Sequence, residues 1–144
     1  MRWSSWRSVL DLDEKWNEEH SVCCFPGIYQ IRMITKRGKP IVIPRIRGED
    51  RQGILYIGSA AARRTKTHRC LGWRIWEFPG GEIHSGGYTY NLARRRLPEH
   101  GLQFRTFRTS RGKVSAAEKR TLMRYFRRFG ELPPFNGSFP GRWD

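Results

Sequence analysis

Polar and apolar positions follow two distinct rhythms along the chain. Residues 27–35 (GIYQIRMIT) alternate and are rich in β-branched and aromatic types, which predicts a strand. Residues 41–46 (IVIPRI) predict a second strand, held to an edge or a bulge by Pro44. Residues 53–58 (GILYIG) predict a third, more apolar and therefore central, and residues 102–108 (LQFRTFR) alternate again, with Leu102, Phe104 and Phe107 as core candidates. Turn signals at Lys36-Arg37-Gly38-Lys39 and Gly48-Glu49-Asp50 separate the first three.

The helical rhythm appears elsewhere. Ser8 and Asp11 have capping-box spacing, and Val9, Leu12 and Trp16 follow at helical steps, predicting a short helix over 9–19. Leu71, Arg74, Ile75 and Phe78 share one face of a helix over 71–78, which Gly80-Gly81 ends. Another helix is expected from about Ser85 to just before Gly101, a glycine placed for a left-handed C-cap. The last runs from Ser115 to about Arg128, and Pro133-Pro134 prevents continuation.

This order predicts an α+β fold: a small, mainly antiparallel sheet of three or slightly more strands flanked by helices. The gaps between the first three strands are too short for parallel crossovers. The expected organisation is an N-terminal helical extension over 1–24 and one domain over 25–144, carrying an inserted basic hairpin at about 36–52.

Charge changes the picture. The 144 residues carry a formal net charge of +15. Residues 1–20 hold five acids against three bases, so the remaining 124 carry +17. A surplus of that size repels itself and suits a polyanionic partner, and nucleic acid is the expected one. Three cysteines without framework spacing argue against a disulfide scaffold and for a reducing compartment. No apolar run reaches membrane length, so a soluble, cytoplasmic protein without a membrane partner is expected.

Gly27-Ile28-Tyr29 and Tyr56-Ile57-Gly58 carry the first chemistry. Tyrosines on neighbouring strands bring two phenols together, and one can serve as a general base. Two core tyrosines with satisfied hydroxyls are the plainer reading. With a glutamate and an asparagine further on, the layout resembles the GIY-YIG endonuclease superfamily over about residues 25–137, nearest to its restriction-endonuclease-like members. The resemblance implies that fold and divalent-metal-dependent hydrolysis of DNA, leaving 5′-phosphate and 3′-hydroxyl ends.

Glu118 matches the family's metal-binding glutamate, so Mg²⁺ or Mn²⁺ is the implied cofactor. Ser115-x-x-Glu118 also fits a capping box. Glu118, Leu122, Tyr125 and Phe129 nevertheless share one largely apolar face, where a carboxylate is costly unless paired or bound to a cation. Asn136 matches the family's terminal asparagine, against the alternative of a plain Asn-Gly turn. Arg74 is the expected catalytic arginine, with Arg63 or Arg64 as alternatives nearer YIG. His84 matches a histidine found in some members, against a surface residue flanking a helix cap.

Two features depart from the family: Phe78 stands where some members have a histidine, and 26 residues separate the tripeptides. In the implied mechanism Glu118 holds the ion, Tyr29 accepts a proton from water, and Tyr56 and Arg74 steady the phosphate. Arg63, Arg64, Lys66 and Arg69 in the loop, and Arg45 and Arg47 in the insertion, are candidate nucleic-acid contacts. The insertion is either a DNA-contacting hairpin or scaffold. Such a site cuts one strand, so the expected state is a monomer or a homodimer. The competing functions are an RNA- or structure-specific nuclease of this fold, and a basic binding module without catalysis.

Overall fold

The computed structural model describes residues 2–11, 25–60, 75 and 101–137. The strands are β1 (Arg7–Ser8), β2 (Gly27–Ile34), β3 (Ile43–Pro44), β4 (Glu49–Asp50), β5 (Ile54–Ala60) and β6 (Gly101–Arg108), followed by helix α1 (Val114–Phe129). The α+β class holds. The main sheet has the order β1-β6-β2-β5, all antiparallel, while β3 and β4 form a separate two-stranded ladder.

Strand β2 is the central strand, paired along its full length with β6 and for most of it with β5. The expectation that β5 is central is corrected: it is last in strand order. Its apolar character has another cause. The outer edge of β5 is covered by the 133–136 segment, where the Phe135 amide donates to the Leu55 carbonyl at 2.9 Å. Both edges are therefore hydrogen-bonded, which removes the usual penalty of an exposed strand edge.

A bulge opposite Ile31/Arg32 leaves Leu55 without a partner on β2. On either side of it the sheet divides two cores. Tyr29, Ile31, Met33, Leu55, Tyr56, Leu102 and Phe104 fill one cluster, joined by Val9 and Ile75. Ile54 and Ile57 meet Leu122, Tyr125 and Phe129 of α1 in the other. The predicted apolar face of α1 is thus buried, at roughly 1.5–3 kcal/mol for each large side chain. Phe107 lies on the α1 side of β6, tilted against Trp3 with ring centroids 5.4 Å apart, and is outside both clusters.

Other expectations are adjusted. Val9–Asp11 is a short 3-10 turn, and Arg7–Ser8 before it adds a strand beside β6. Residues 2–11 of the expected extension are therefore stitched to the sheet. Ile75 is helical and fully buried, as its face predicted. The rest of the 9–19 and 71–78 helices, and the helix expected from Ser85, lie outside the described residues. Gly101 opens β6 opposite Ile34 and is not left-handed. The left-handed cap falls instead at Gly130 (φ 77°), where the Gly130 amide donates to the Phe126 carbonyl and ends α1. Among the described residues no helix is long and apolar enough to cross a membrane.

The insertion is docked onto the end of α1. Asp50, 2% exposed, accepts hydrogen bonds from the backbone amides of Gln52, Gly53 and Ile54 and from the Tyr125 hydroxyl at 2.9 Å. Burial first, then the Asp50 charge, raises the Tyr125 pKa far above its ordinary value, so the phenol remains a donor. Four donors converge on one carboxylate, and removing it strands all of them. Asp50→Ala is therefore expected to cost about 3 kcal/mol or more, read as a lower urea midpoint at unchanged slope.

Candidate functional site

The two tripeptides meet as neighbouring strands. Tyr29 pairs with Gly58 and Ile31 with Tyr56, so both tyrosines project from one face of the sheet. Their ring centroids are 6.0 Å apart, tilted by 44°. Tyr29 is enclosed (0% exposed) and Tyr56 is slightly accessible (8%). Gly58 makes the packing possible. A Cβ there would lie 2.5 Å from Tyr29 Cζ, 2.6 Å from its hydroxyl oxygen and 2.8 Å from Tyr56 Cε1. Gly27 has a parallel role at the other strand boundary, because its Cβ would collide with the Phe107 carbonyl oxygen on β6. Both glycines are thus set by close approach.

Glu118 approaches from the other side. Residues adjacent in a strand face opposite ways, so Ser59 points toward α1 while Gly58 lies under Tyr29. The Ser59 hydroxyl donates to Glu118 Oε2 at 2.7 Å. The capping-box alternative is overturned: α1 begins at Val114, its N-cap Lys113 makes no side-chain cap hydrogen bond, and Ser115 lies within the helix. The helix starts two residues too early for Ser115 to cap it, and the Glu118 carboxylate turns to β5 instead.

Asn136 clamps the same strand. Its Oδ1 accepts from the Ile57 amide at 3.0 Å and its Nδ2 donates to the Ile57 carbonyl at 2.9 Å. The Asn136 amide also donates to the Pro133 carbonyl, which makes the turn. Asn136 sits in a turn, as the plainer reading has it, and its side chain grips the middle residue of Tyr56-Ile57-Gly58.

Carboxamide, phenol and carboxylate therefore bear on the consecutive residues Ile57, Gly58 and Ser59 near the Ala60 end of β5, the phenols from one face of the sheet and Glu118 from the other. The oxygen-rich set suits a hard divalent ion, and Mg²⁺ is commonly held by one or two carboxylates with water and substrate phosphate completing its shell. Among the described residues no group of three or more His, Cys, Asp or Glu side chains is placed to hold a metal. Glu118 is the carboxylate that fits, since Asp50 is enclosed by its four donors. Ser59 escaped sequence reading, although alternation from Ile57 puts it on the helix side.

The insertion arginines are corrected in part. Arg45 forms an ion pair with Glu131, its side chain only 11% exposed, and its buried Nε has no hydrogen-bond partner among the described residues. It holds the hairpin and is withdrawn from phosphate contact. The Arg47 amide donates to the Phe129 carbonyl at 2.9 Å, and its guanidinium reaches the Arg127 carbonyl at 3.4 Å. These bonds satisfy the C-terminal carbonyls of α1. Scaffold is what this geometry supports for the hairpin. Arg63, Arg64, Lys66, His68, Arg69, Arg74 and His84 lie outside the described residues.

No protein-family model, curated protein or solved structure matches the chain.

Two stability measurements check the packing. Gly58→Ala is expected to overpack the Tyr29 phenol and cost about 1–3 kcal/mol. Asn136→Ala leaves two polar groups of Ile57 unpaired and should cost about 1–3 kcal/mol. Both are read from denaturant midpoints without substrate.

Proposed function

We propose that the protein is a divalent-metal-dependent endonuclease hydrolysing DNA phosphodiester bonds. The observation that carries this reading is the convergence of the Tyr29 phenol and the Glu118 carboxylate on Gly58 and Ser59, adjacent residues of one strand. The resemblance of the motif order to GIY-YIG endonucleases supports it, as does the net charge of +15.

In this mechanism Glu118, oriented by the Ser59 hydroxyl, would hold the ion. A bound divalent ion supplies polarisation of the scissile phosphate and stabilises charge on the leaving 3′ oxygen. Tyr29 accepts the proton of the attacking water as general base. Tyr56, the more accessible phenol, and Arg74 orient the phosphate. Asn136 acts through Ile57, keeping the strand in register beneath the phenols. The products are 5′-phosphate and 3′-hydroxyl ends, and the nuclease works as a monomer or homodimer in the cytoplasm.

Plasmid cleavage with Mg²⁺ tests the assignment. Wild-type protein is expected to nick supercoiled DNA, and Glu118→Ala to lose that activity. Ser59→Ala is expected to retain the fold and lose about 10- to 100-fold, as for a residue that orients a ligand. Cleavage by Glu118→Ala at the wild-type rate would overturn the role of the carboxylate. RNA or branched substrates cut in preference to plasmid would move the substrate to the rival class.

A further inference from the structure

The α1 side of the sheet carries a cationic, aromatic trough that the proposed chemistry does not use. Two adjoining cavities of about 380 and 520 Å³ share Trp3, Thr121 and Arg124. Gln30 and Ile54 line the first, Ile28 and Phe107 the second. Together they make one channel between α1 and the N-terminal segment.

One wall is a row of cations. Lys113, Arg120, Arg124 and Arg128 line the channel, all exposed. The three arginines recur every four residues, so they run along one side of α1 at intervals of about 6 Å. Such a row matches the repeated phosphates of a single strand better than one isolated anion.

Trp3 and Arg105 also line the channel, and Trp6 and Arg32, outside its lining, extend a stack of guanidinium on indole. Arg105 lies over both Trp3 and Trp6, at 4.8 and 4.6 Å from the ring centroids, and Arg32 over Trp6 at 4.1 Å. Their hydrogen-bond acceptors are neutral amides: Gln30 and Gln52 for Arg105, and Gln103 for Arg32. Burial lowers both pKa values from the ordinary arginine value, and the Arg32 charge lowers that of Arg105 further. Two like charges are thus held side by side without a carboxylate on either among the described residues. The acids of the first cavity do not neutralise it: Glu49 faces Arg51 at 3.5 Å, and Asp50 is enclosed by its own donors.

We propose that this trough binds a single nucleic-acid strand, with its phosphates along Arg120, Arg124 and Arg128 and a base stacked at Trp3. Aromatic stacking combined with a charged track is the general design of single-strand sites. The surface lies across the sheet from the tyrosines, on the α1 face that also carries Glu118, and none of its lining residues has a step in the proposed cleavage. It is independent of cleavage and stands without the nuclease reading.

The test is fluorescence anisotropy of a labelled single-stranded oligonucleotide and of the matching duplex, in EDTA, across a salt series. Wild type and Arg37→Gln, an exposed turn residue outside the trough, are expected to bind the single strand alike. The Arg120→Gln/Arg124→Gln/Arg128→Gln variant is expected to bind weakly, with the log–log salt slope reduced by about 2. Trp3→Ala should lose about tenfold for the single strand. A bromouracil-substituted oligonucleotide should cross-link to the peptide holding Trp3, which needs no variant. Unchanged affinity and slope in the triple variant would overturn the trough as a binding surface. A loss confined to the duplex would overturn the single-strand assignment. Absence of Mg²⁺-dependent cleavage by the wild type, with single-strand binding intact, would count against the nuclease reading alone.

Discussion

Strand β5 is hydrogen-bonded along both edges, and the rest of the structure is arranged around that condition. On one side it pairs with β2. On the other, Phe135 and Asn136 supply the donors and acceptor that another strand would have supplied. Its first amide, at Ile54, is held by Asp50, which also receives the Tyr125 hydroxyl from α1. A strand fixed at its start, its middle and its paired edge presents Gly58 and Ser59 at a set position. The phenols and the Glu118 carboxylate take their places from those two residues.

The sheet separates two chemistries. On one face the paired tyrosines pack over a glycine that admits no side chain. On the other, α1 lays an apolar stripe on Ile54 and Ile57 and turns a basic row outward. The insertion belongs to the support of this second face. Arg45, Arg47 and Glu131 tie it to the C-terminal turn of α1, where unpaired carbonyls call for donors. Ile46, 74% exposed at the hairpin tip, and Val42, 46% exposed, are apolar residues that this docking leaves outside.

Much of this was legible in the residues. The alternation of 27–35 and 102–108 located β2 and β6 because each has one face in a core. The stepping of Glu118, Leu122, Tyr125 and Phe129 located the buried face of α1, and Pro133-Pro134 bounded its end. Among the readings that went differently, three show the physical reason most plainly. The apolar run 53–58 suggested a central strand, but its second edge is closed by a loop, which pattern alone does not distinguish from a strand. Ser115 had the spacing of a cap, but the helix began before it. Arg45 looked like a phosphate ligand until Glu131, 86 positions later, was brought against it.

Local pattern located β2, β3, β5 and β6, the buried face of α1, and the large positive surplus of the chain. These follow from periodicity and composition, which act over a few residues. Only the tertiary structure decided that Asn136 grips Ile57, that Ser59 orients Glu118, that Asp50 is a buried hub, and that Trp3 and Trp6 stack on Arg105. Each of these joins residues far apart in sequence. Their pairing depends on sheet register and on how α1 lies across it, and neither is written in the spacing of any single segment.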